Sequence, residues 1–354
     1  MKLHRSFRFL ALSALGICLS VLAGSSLQAQ IVYPTFTTGT KVTSFQIYYN
    51  SADTNETYSP AFASDATGTL WAAYSDNSNS GYLSVASSTD GVNFTVHQTD
   101  IPMDSATSWG SFQGNLYLAF SAGSPNIDIY KLDISTGSLT LQQEFSTGAI
   151  GVHARRPALA EFDNSTTGTD CFYLAWNGTV YDPGTGSNDG NWAQVATSCT
   201  SSVSFTTPAY NNPPVSTAYP DGTGIALTVY NDQLYLTYSD ASTDYPQMFG
   251  VTSAPSTTFT DLTGPNGGNG VYGGDPATVS FAGNLYAMYR SAYADDELWA
   301  IGTDNGSTFA PSHEYGQTMK YSPSLTVTPS GVLYQSGFTD HPSSGSYMWL
   351  YSGD

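Results

Sequence analysis

Carboxylates outnumber every other group able to do chemistry here: 28 Asp and Glu stand against 9 Lys and Arg and 5 His. Two carboxyls held about 5 to 9 Å apart suffice for acid and base roles at a glycosidic bond. Asp76, Asp240, Asp275 and Asp340 are the candidates, although Ser-Asp turns are commonplace and a solvated or turn-capping side chain is the more frequent role of such residues. Cations that would orient a substrate are scarce, since beyond residue 29 the arginines are Arg155, Arg156 and Arg290. The first two are neighbours, so their side chains diverge if the segment is extended. His341 beside Asp340 and His153 before Arg155 are candidate bases with no motif around them.

Other chemistries lack their signatures. The sequence has no phosphate-cradling Gly loop, no His-Glu-x-x-His, no Gly-x-Ser-x-Gly elbow and no Cys/His metal set. No metal site or cofactor is expected. Ca²⁺ is the one ion that so acidic a chain would accommodate, although no EF-hand loop spells it out. The aromatic residues, 14% of the chain, suit sugars: a Trp or Tyr face covers the apolar side of a pyranose while Asp, Asn and Arg take its hydroxyls. Trp109 and Trp176 fall at strand ends and are the best ligand-facing candidates among them.

The first 29 residues set the compartment. Lys2, Arg5 and Arg8 precede an apolar run from Phe9 to about Gly24 that ends in the small-residue stretch Ser25 to Ala29. This is the pattern of a signal peptide, with cleavage expected after Ala29 and a secreted or periplasmic product. Cys18 lies inside the run after Ile17, which argues against a lipoprotein signal. Removing the three basic residues takes the formal charge from −19 to −22, so neither nucleic acid nor an anionic membrane is an expected partner. Cys171 and Cys199 then remain as a lone pair, and in an exported chain a disulfide is the expected state.

The elements that position these groups are strands. With 34 Gly, 25 Tyr and only 10% charged residues, the composition is poor in helix formers and rich in residues that suit a pleated surface. One phrase recurs six times: an alternating strand, a turn with Gly or Asn, and a second strand opening on an apolar residue and an aromatic. The copies begin at Ser59, Ser108, Arg156, Thr223, Asp275 and Ser322. Their aromatics are Trp71, Tyr117, Tyr173, Tyr235, Tyr286 and Tyr334, at spacings of 46, 56, 62, 51 and 48, the length of propeller blades. A third strand follows each hairpin, for example Tyr82 to Ala86 and Trp192 to Ala196. The sequence thus predicts residues 30–354 as one all-β domain, a six-bladed β-propeller with five and seven blades as alternatives. An N-terminal strand, Val42 to Tyr48, is expected to complete the last blade and remove two exposed sheet edges.

Two loops point to a family. Ser88-Thr89-Asp90-Gly91-Val92-Asn93-Phe94 and Thr303-Asp304-Asn305-Gly306-Ser307-Thr308-Phe309 resemble the Asp-box of sialidase-like propellers, the second through Asp304, Gly306, Thr308 and Phe309. Degraded versions occupy Ser198 to Phe205 and Ser253 to Phe259. The resemblance implies that these turns lie away from the catalytic face. It also implies a ligand face made of the residues that start each innermost strand and leave each second strand. On the first side it places Tyr58, Trp109, Arg155, Arg156 and Asp275; on the second, Asp76, Trp176, Asp240, Arg290 and Asp340. Tyr58, Arg155, Trp109 and Trp176 are expected to contact ligand. True sialidase chemistry needs three arginines around a carboxylate, and Tyr58-Ser59-Pro60 stands where the family has Arg-Ile-Pro. The expectation is therefore an exported, monomeric, non-catalytic propeller that binds an extracellular glycan or other ligand. The alternative is a glycan-active enzyme, hydrolase or polysaccharide lyase, using axial carboxylates.

Overall fold

The computed structural model describes the chain from Ile31 onward, apart from residues 38, 45–46, 48–59, 80, 104, 122–125, 148–155, 165–167, 183–186, 207–223, 241–244, 252–255, 257–258, 263–275, 291–296, 308, 311–312, 319–321, 340–346 and 354. The chain divides into two units, Met1–Val32 and Tyr33–Asp354, and the second holds every strand among the described residues. Strands form where apolar residues recur at every second position. β1 is Thr40–Lys41; β2 (Ala61–Ser64), β3 (Leu70–Ser75), β4 (Leu83–Ser88) and β5 (Thr95–Gln98) make a sheet in that order. β6 (Ser108–Phe112), β7 (Asn115–Ser121), β8 (Asn126–Asp133) and β9 (Ser138–Ser146) make the next. β10 (Ala158–Asn164), β11 (Thr169–Asp182) and β12 (Ser187–Ser198) follow as a three-stranded sheet. Two more meanders are β13 (Ile225–Tyr230), β14 (Gln233–Asp240), β15 (Tyr245–Val251), β16 (Thr260–Leu262), and then β17 (Ala277–Phe281), β18 (Asn284–Arg290), β19 (Glu297–Thr303), β20 (His313–Thr318). The last sheet is β21 (Ser324–Val327), β22 (Leu333–Thr339), β23 (Tyr347–Gly353) with β1 added outside.

The fold is an all-β propeller. Each meander runs outward from an innermost strand, and β2, β6, β10, β13, β17 and β21 follow one another around an axis, β21 returning to β2. Two expectations need correction. The repeat predicts six equal four-stranded units; five sheets have four strands, and that of β10 to β12 has three among the described residues. The N-terminal pairing also lies upstream of the predicted Val42 to Tyr48 strand: Thr40 pairs with Leu350 and Lys41 with Trp349. Val42 and Ile47 are buried instead, at 0% and 2% exposure, in the cluster between the last sheet and the first. Val42 N still donates to Met348 O of β23 at 2.9 Å, while Ile47 bridges to Asp76 beside the first sheet.

The core sits between sheets. Along β3, Leu70, Ala72 and Tyr74 face the last sheet while Trp71 and Ala73 face the second. The period of two thus sends alternate side chains into two different interfaces. The register aromatics Trp71, Tyr117, Tyr173, Tyr235 and Tyr286 are all at most 5% exposed. Two reach across to the turn after the next sheet's third strand: Tyr173 Oη donates to Ser256 O at 3.0 Å and Tyr235 Oη to Gly306 O at 3.4 Å.

Those turns correct one alignment. In the first, Ser88 Oγ accepts from Gly91 N at 3.0 Å and Asp90 Oδ1 from Val92 N at 2.8 Å. In the second, Thr303 Oγ1 accepts from Gly306 N at 2.9 Å and Asn305 Oδ1 from Ser307 N at 2.9 Å. The acceptor that matches Asp90 is thus Asn305, one residue beyond the expected Asp304, because a Ser/Thr-x-Asp/Asn-Gly turn places its acceptors by spacing.

Cys171 and Cys199 form the expected disulfide across β11 and the end of β12, 28 residues apart. Replacing both by serine is expected to cost about 2 kcal/mol, largely by freeing the unfolded chain. A denaturant titration of the double variant checks this, and an unchanged midpoint would show that the ladder alone holds the hairpin.

The acidic groups predict a stability maximum in mild acid. Burial alone would raise the pKa of Asp65, but hydrogen bonds from Thr67 and Trp71 outweigh it and hold the carboxyl below its ordinary value. Asp90 is held down by the backbone N–H groups of Asn93 and Val92, and Asp133 by Ser135. Their contribution is present above the ordinary carboxylate range and is lost as pH falls through the depressed values. Asp128 and Glu161 are pushed the other way, first by burial and then by neighbouring carboxylates, Glu144 beside Asp128 and Asp170 and Asp163 beside Glu161. Their contribution is complete below the ordinary range and lost as pH rises through the raised values. Melting midpoints from pH 2 to 8 should therefore peak at about pH 4 to 5. Glu144→Gln should flatten the alkaline limb and Asp65→Asn the acid one.

Candidate active site on the axis

The starts of the innermost strands enclose a cavity of about 100 Å³. All six sheets line it: Phe62 of β2, Trp109 of β6, Leu159 of β10, Leu227 of β13, Thr278 of β17 and Leu325 of β21 are examples. Short apolar and hydroxyl side chains dominate because six strands converge here and leave little room. Arg156, immediately before β10, is the one ionisable residue among those that line it.

Hydrogen bonds between neighbouring sheets, and one across the axis, hold the ring. Phe62 N donates to Ser324 Oγ at 3.0 Å, joining the first sheet to the last, and Trp109 Nε1 donates to Ala61 O at 3.2 Å. Arg156 Nη1 donates to Pro323 O at 3.1 Å, and Arg156 O accepts from Ile225 N at 3.4 Å. Arg156 as a whole is 8% exposed, and its guanidinium is a positive charge at the axis, held by a carbonyl on the other side of the ring.

The predicted residues part company here. Arg156 and Trp109 are brought together on the cavity. Arg290 ends β18, two residues beyond Met288, the partner of Ala277, so it stands at the same end of the propeller. Trp176 is 1% exposed and packs its ring edge-on against Phe145 at 5.1 Å, filling the interface between the second and third sheets. Asp76 is 1% exposed and closes its own turn: Oδ1 accepts from Ser78 N and Oγ at 2.8 and 2.7 Å, and Oδ2 from Ser84 Oγ at 2.9 Å. With both oxygens engaged it is placed as a structural carboxylate. Asp240 ends β14, with only its backbone described. Tyr58, Arg155, Asp275, Asp340, His153 and His341 lie outside the described residues. Sequence reasoning missed Ser324 and the Pro323 carbonyl; the recurrent Ser-Pro that starts the last copy was the available signal. Among the described residues no group of three or more His, Cys, Asp or Glu side chains converges on one point.

The class that the structure defines is that of the β-propellers, here with an axial cavity. No family model matches the chain, and no curated protein matches it by sequence. Solved structures do. The chain is similar to a Penicillium chrysogenum α-L-arabinanase complexed with arabinobiose, with a TM-score of 0.57, 15% identity, and 91% of this chain and 99% of that chain covered. It is similar to the GH93 α-L-arabinofuranosidase of Fusarium graminearum, with a TM-score of 0.59, 12% identity, and coverage of 89% and 97%. It is also similar to an Aleuria aurantia lectin mutant in complex with α-methyl-L-fucoside, with a TM-score of 0.51, 10% identity, and coverage of 86% and 96%. At these identities the likeness is one of fold.

The expectation of a non-catalytic binder is corrected by these findings. Glycoside hydrolases matched over nearly their whole length favour the alternative. Among the described residues the spaces between successive sheets are filled by hydrophobic clusters, and the axial cavity is lined by one ionisable residue, Arg156.

Proposed function

We propose that this chain is an exported glycan-active enzyme, a glycoside hydrolase or polysaccharide lyase, built on a six-bladed propeller closed by its N-terminal strand and acting at the axial cavity. The observation that carries the reading is the match in fold, end to end, with an arabinanase and an arabinofuranosidase. Six innermost strands in closed succession support the blade number, with β10 to β12 as the sixth blade. The turns at Asp90 and Asn305 are read as Asp-boxes reduced to their hydrogen bonds.

The cavity is below the roughly 300 to 1,000 Å³ that encloses a whole ligand. A sugar would rest across its mouth with one substituent inside. Arg156 and Arg290 orient that sugar through its oxygens, and Asp275, Asp240 and Asp340 supply the acid and the base or nucleophile. Arabinose-containing glycans are the first substrates to try.

The test is product analysis by mass spectrometry after incubating the protein lacking residues 1–29 with a panel of plant and microbial glycans. Released oligosaccharides are expected, and binding without turnover across the panel would overturn the reading. Of Asp275→Asn, Asp240→Asn and Asp340→Asn, the variant that removes the acid should lower kcat about 10³-fold. Asp76→Asn should lower the melting midpoint and leave kcat in place.

A further inference from the structure

Where successive sheets meet, a side chain of one takes hold of the turn that follows the third strand of the next. Between the first and second sheets the His97 ring of β5 covers Gly137, whose N–H closes the turn after β8 on Asp133 O at 2.8 Å. Between the second and third, the Gln143 amide of β9 donates to Phe205 O at 2.8 Å and accepts from Phe205 N at 2.7 Å. At the next two joints Tyr173 holds Ser256 O and Tyr235 holds Gly306 O, with Tyr230 Oη donating to Asp304 O at 2.7 Å beside it. Between the last sheet and the first, the Tyr334 ring lies against Gly91 in the turn after β4.

The joint between the fifth sheet and the last is built differently. There the fifth sheet meets the N-terminal segment. Tyr33 stacks on His313 of β20 with ring centres 4.8 Å apart and leans on Tyr286, the register aromatic of that sheet, at 6.1 Å. Phe36 packs edge-on with Tyr315 of β20 at 5.2 Å, and Pro34 between them is buried. Burial pushes the Tyr33 phenol up to about 12. The same segment is fastened to the last sheet: Phe36 bridges to Gly353, and Thr37 gives Ser352 O its N–H at 2.9 Å and its hydroxyl at 3.1 Å. β1, which follows, pairs with β23 alone, so the residues ahead of it are the ones that cross to the fifth sheet.

We infer that Tyr33–Thr37 is a clasp, taking the place that a gripped turn holds at the other joints, and that the ring opens first between its fifth and last sheets when the clasp lets go. Each gripped turn continues a third strand, whereas the clasp is tied to a strand on one side only, by β1. A terminal segment held chiefly by ring contacts belongs to the low end of local stability. Opening at this joint reaches the axial cavity, because Ser324 of β21 holds Phe62 N and the Pro323 carbonyl before it holds Arg156. The inference is independent of the reaction proposed above.

Native-state hydrogen exchange, read by mass spectrometry on the protein lacking residues 1–29, tests this. In sub-denaturing urea the amides of β20, β21 and β23 should lose protection before those of β7, β8 and β11. Loss in all sheets at one step, or in the second or third sheet first, would overturn the inference. Tyr33→Ala combined with Phe36→Ala should speed exchange in β20, β21 and β23 about tenfold, the factor for losing one or two ring contacts, and leave β7 and β8 at the parent's rates. Gln143→Ala, the matching change at the joint of the second and third sheets, should instead speed exchange around Phe205 and leave β20 as it was. Should the alanine pair not fold, Tyr33→Leu with Phe36→Leu keeps bulk without the ring contacts and is read in the same way. Equal acceleration in every sheet, or an unchanged β20, would show that the segment only decorates a ring closed by other contacts.

Discussion

Replacing Gly110 by alanine is expected to destabilise the protein by about 3 kcal/mol, the upper part of the range for overpacking a core. Gly110 sits in the middle of β6, where that innermost strand meets β10 of the next sheet. A Cβ there would lie 2.3 Å from Leu159 Cβ, 3.1 Å from the Leu159 carbonyl carbon and 3.1 Å from Phe172 Cε2. The nearest atom is fixed to the backbone, so no rotamer change relieves the contact. The two strands would have to separate, and in a closed ring a separation at one joint is passed to its neighbours. Denaturant midpoints of Gly110→Ala alone and with Leu159 changed make the test specific. Leu159→Ala keeps the offending Cβ and should give no relief beyond its own cost, whereas Leu159→Gly should recover part of the loss. A Gly110→Ala variant as stable as the parent would show that β6 and β10 do not approach this closely.

The repeat was legible because its signals are local. Turn residues such as Gln113-Gly114 and Asn231-Asp232 adopt positive φ where expected, and the register aromatics other than the half-buried Tyr334 are buried for the reason that puts them in register: each fills a gap between sheets. The third strands fall where alternation placed them, including β8 at Asn126–Asp133 and β19 at Glu297–Thr303. The fourth strands were not located. β5, β9 and β20 are edge strands exposed along much of their length, and a strand that packs on one side only carries a weak apolar pattern. The full length of β11 and β12 was missed for a related reason: Asn177 to Asn191 is rich in Gly, Asn and Asp and reads as a loop.

The site was less legible than the fold. Asp76 and Trp176 were singled out by chain position, at the ends of second strands, yet position does not say whether a side chain faces the axis, its own turn or the next sheet. Asp76 is claimed by Ser78 and Ser84, Trp176 by Phe145. Arg156 was singled out by the same rule, as an entry to an innermost strand; the structure buries it there, which is costly unless its hydrogen bonds are met. The Pro323 carbonyl that meets one of them is a backbone group from a copy 167 residues away, which no local pattern reveals.

Arg156 therefore carries the second large effect. Arg156→Met keeps most of the side-chain volume and removes the axial charge, and it should lower kcat/KM on the identified glycan about 100-fold, the scale of losing one well-placed charged donor. The Pro323 carbonyl would lose its donor, at a cost of about 1 kcal/mol, so the melting midpoint should fall only slightly. Arg156→Lys separates charge from geometry: an ammonium restores the charge but not the planar fork that reaches the carbonyl and the cavity together. An intermediate rate is expected from it. Arg290→Met, at the rim, should cost less than either. Comparing kcat/KM with the melting midpoint for the three variants decides the matter, since a purely structural Arg156 would lower the midpoint of the Met variant steeply and leave the rate per folded molecule unchanged.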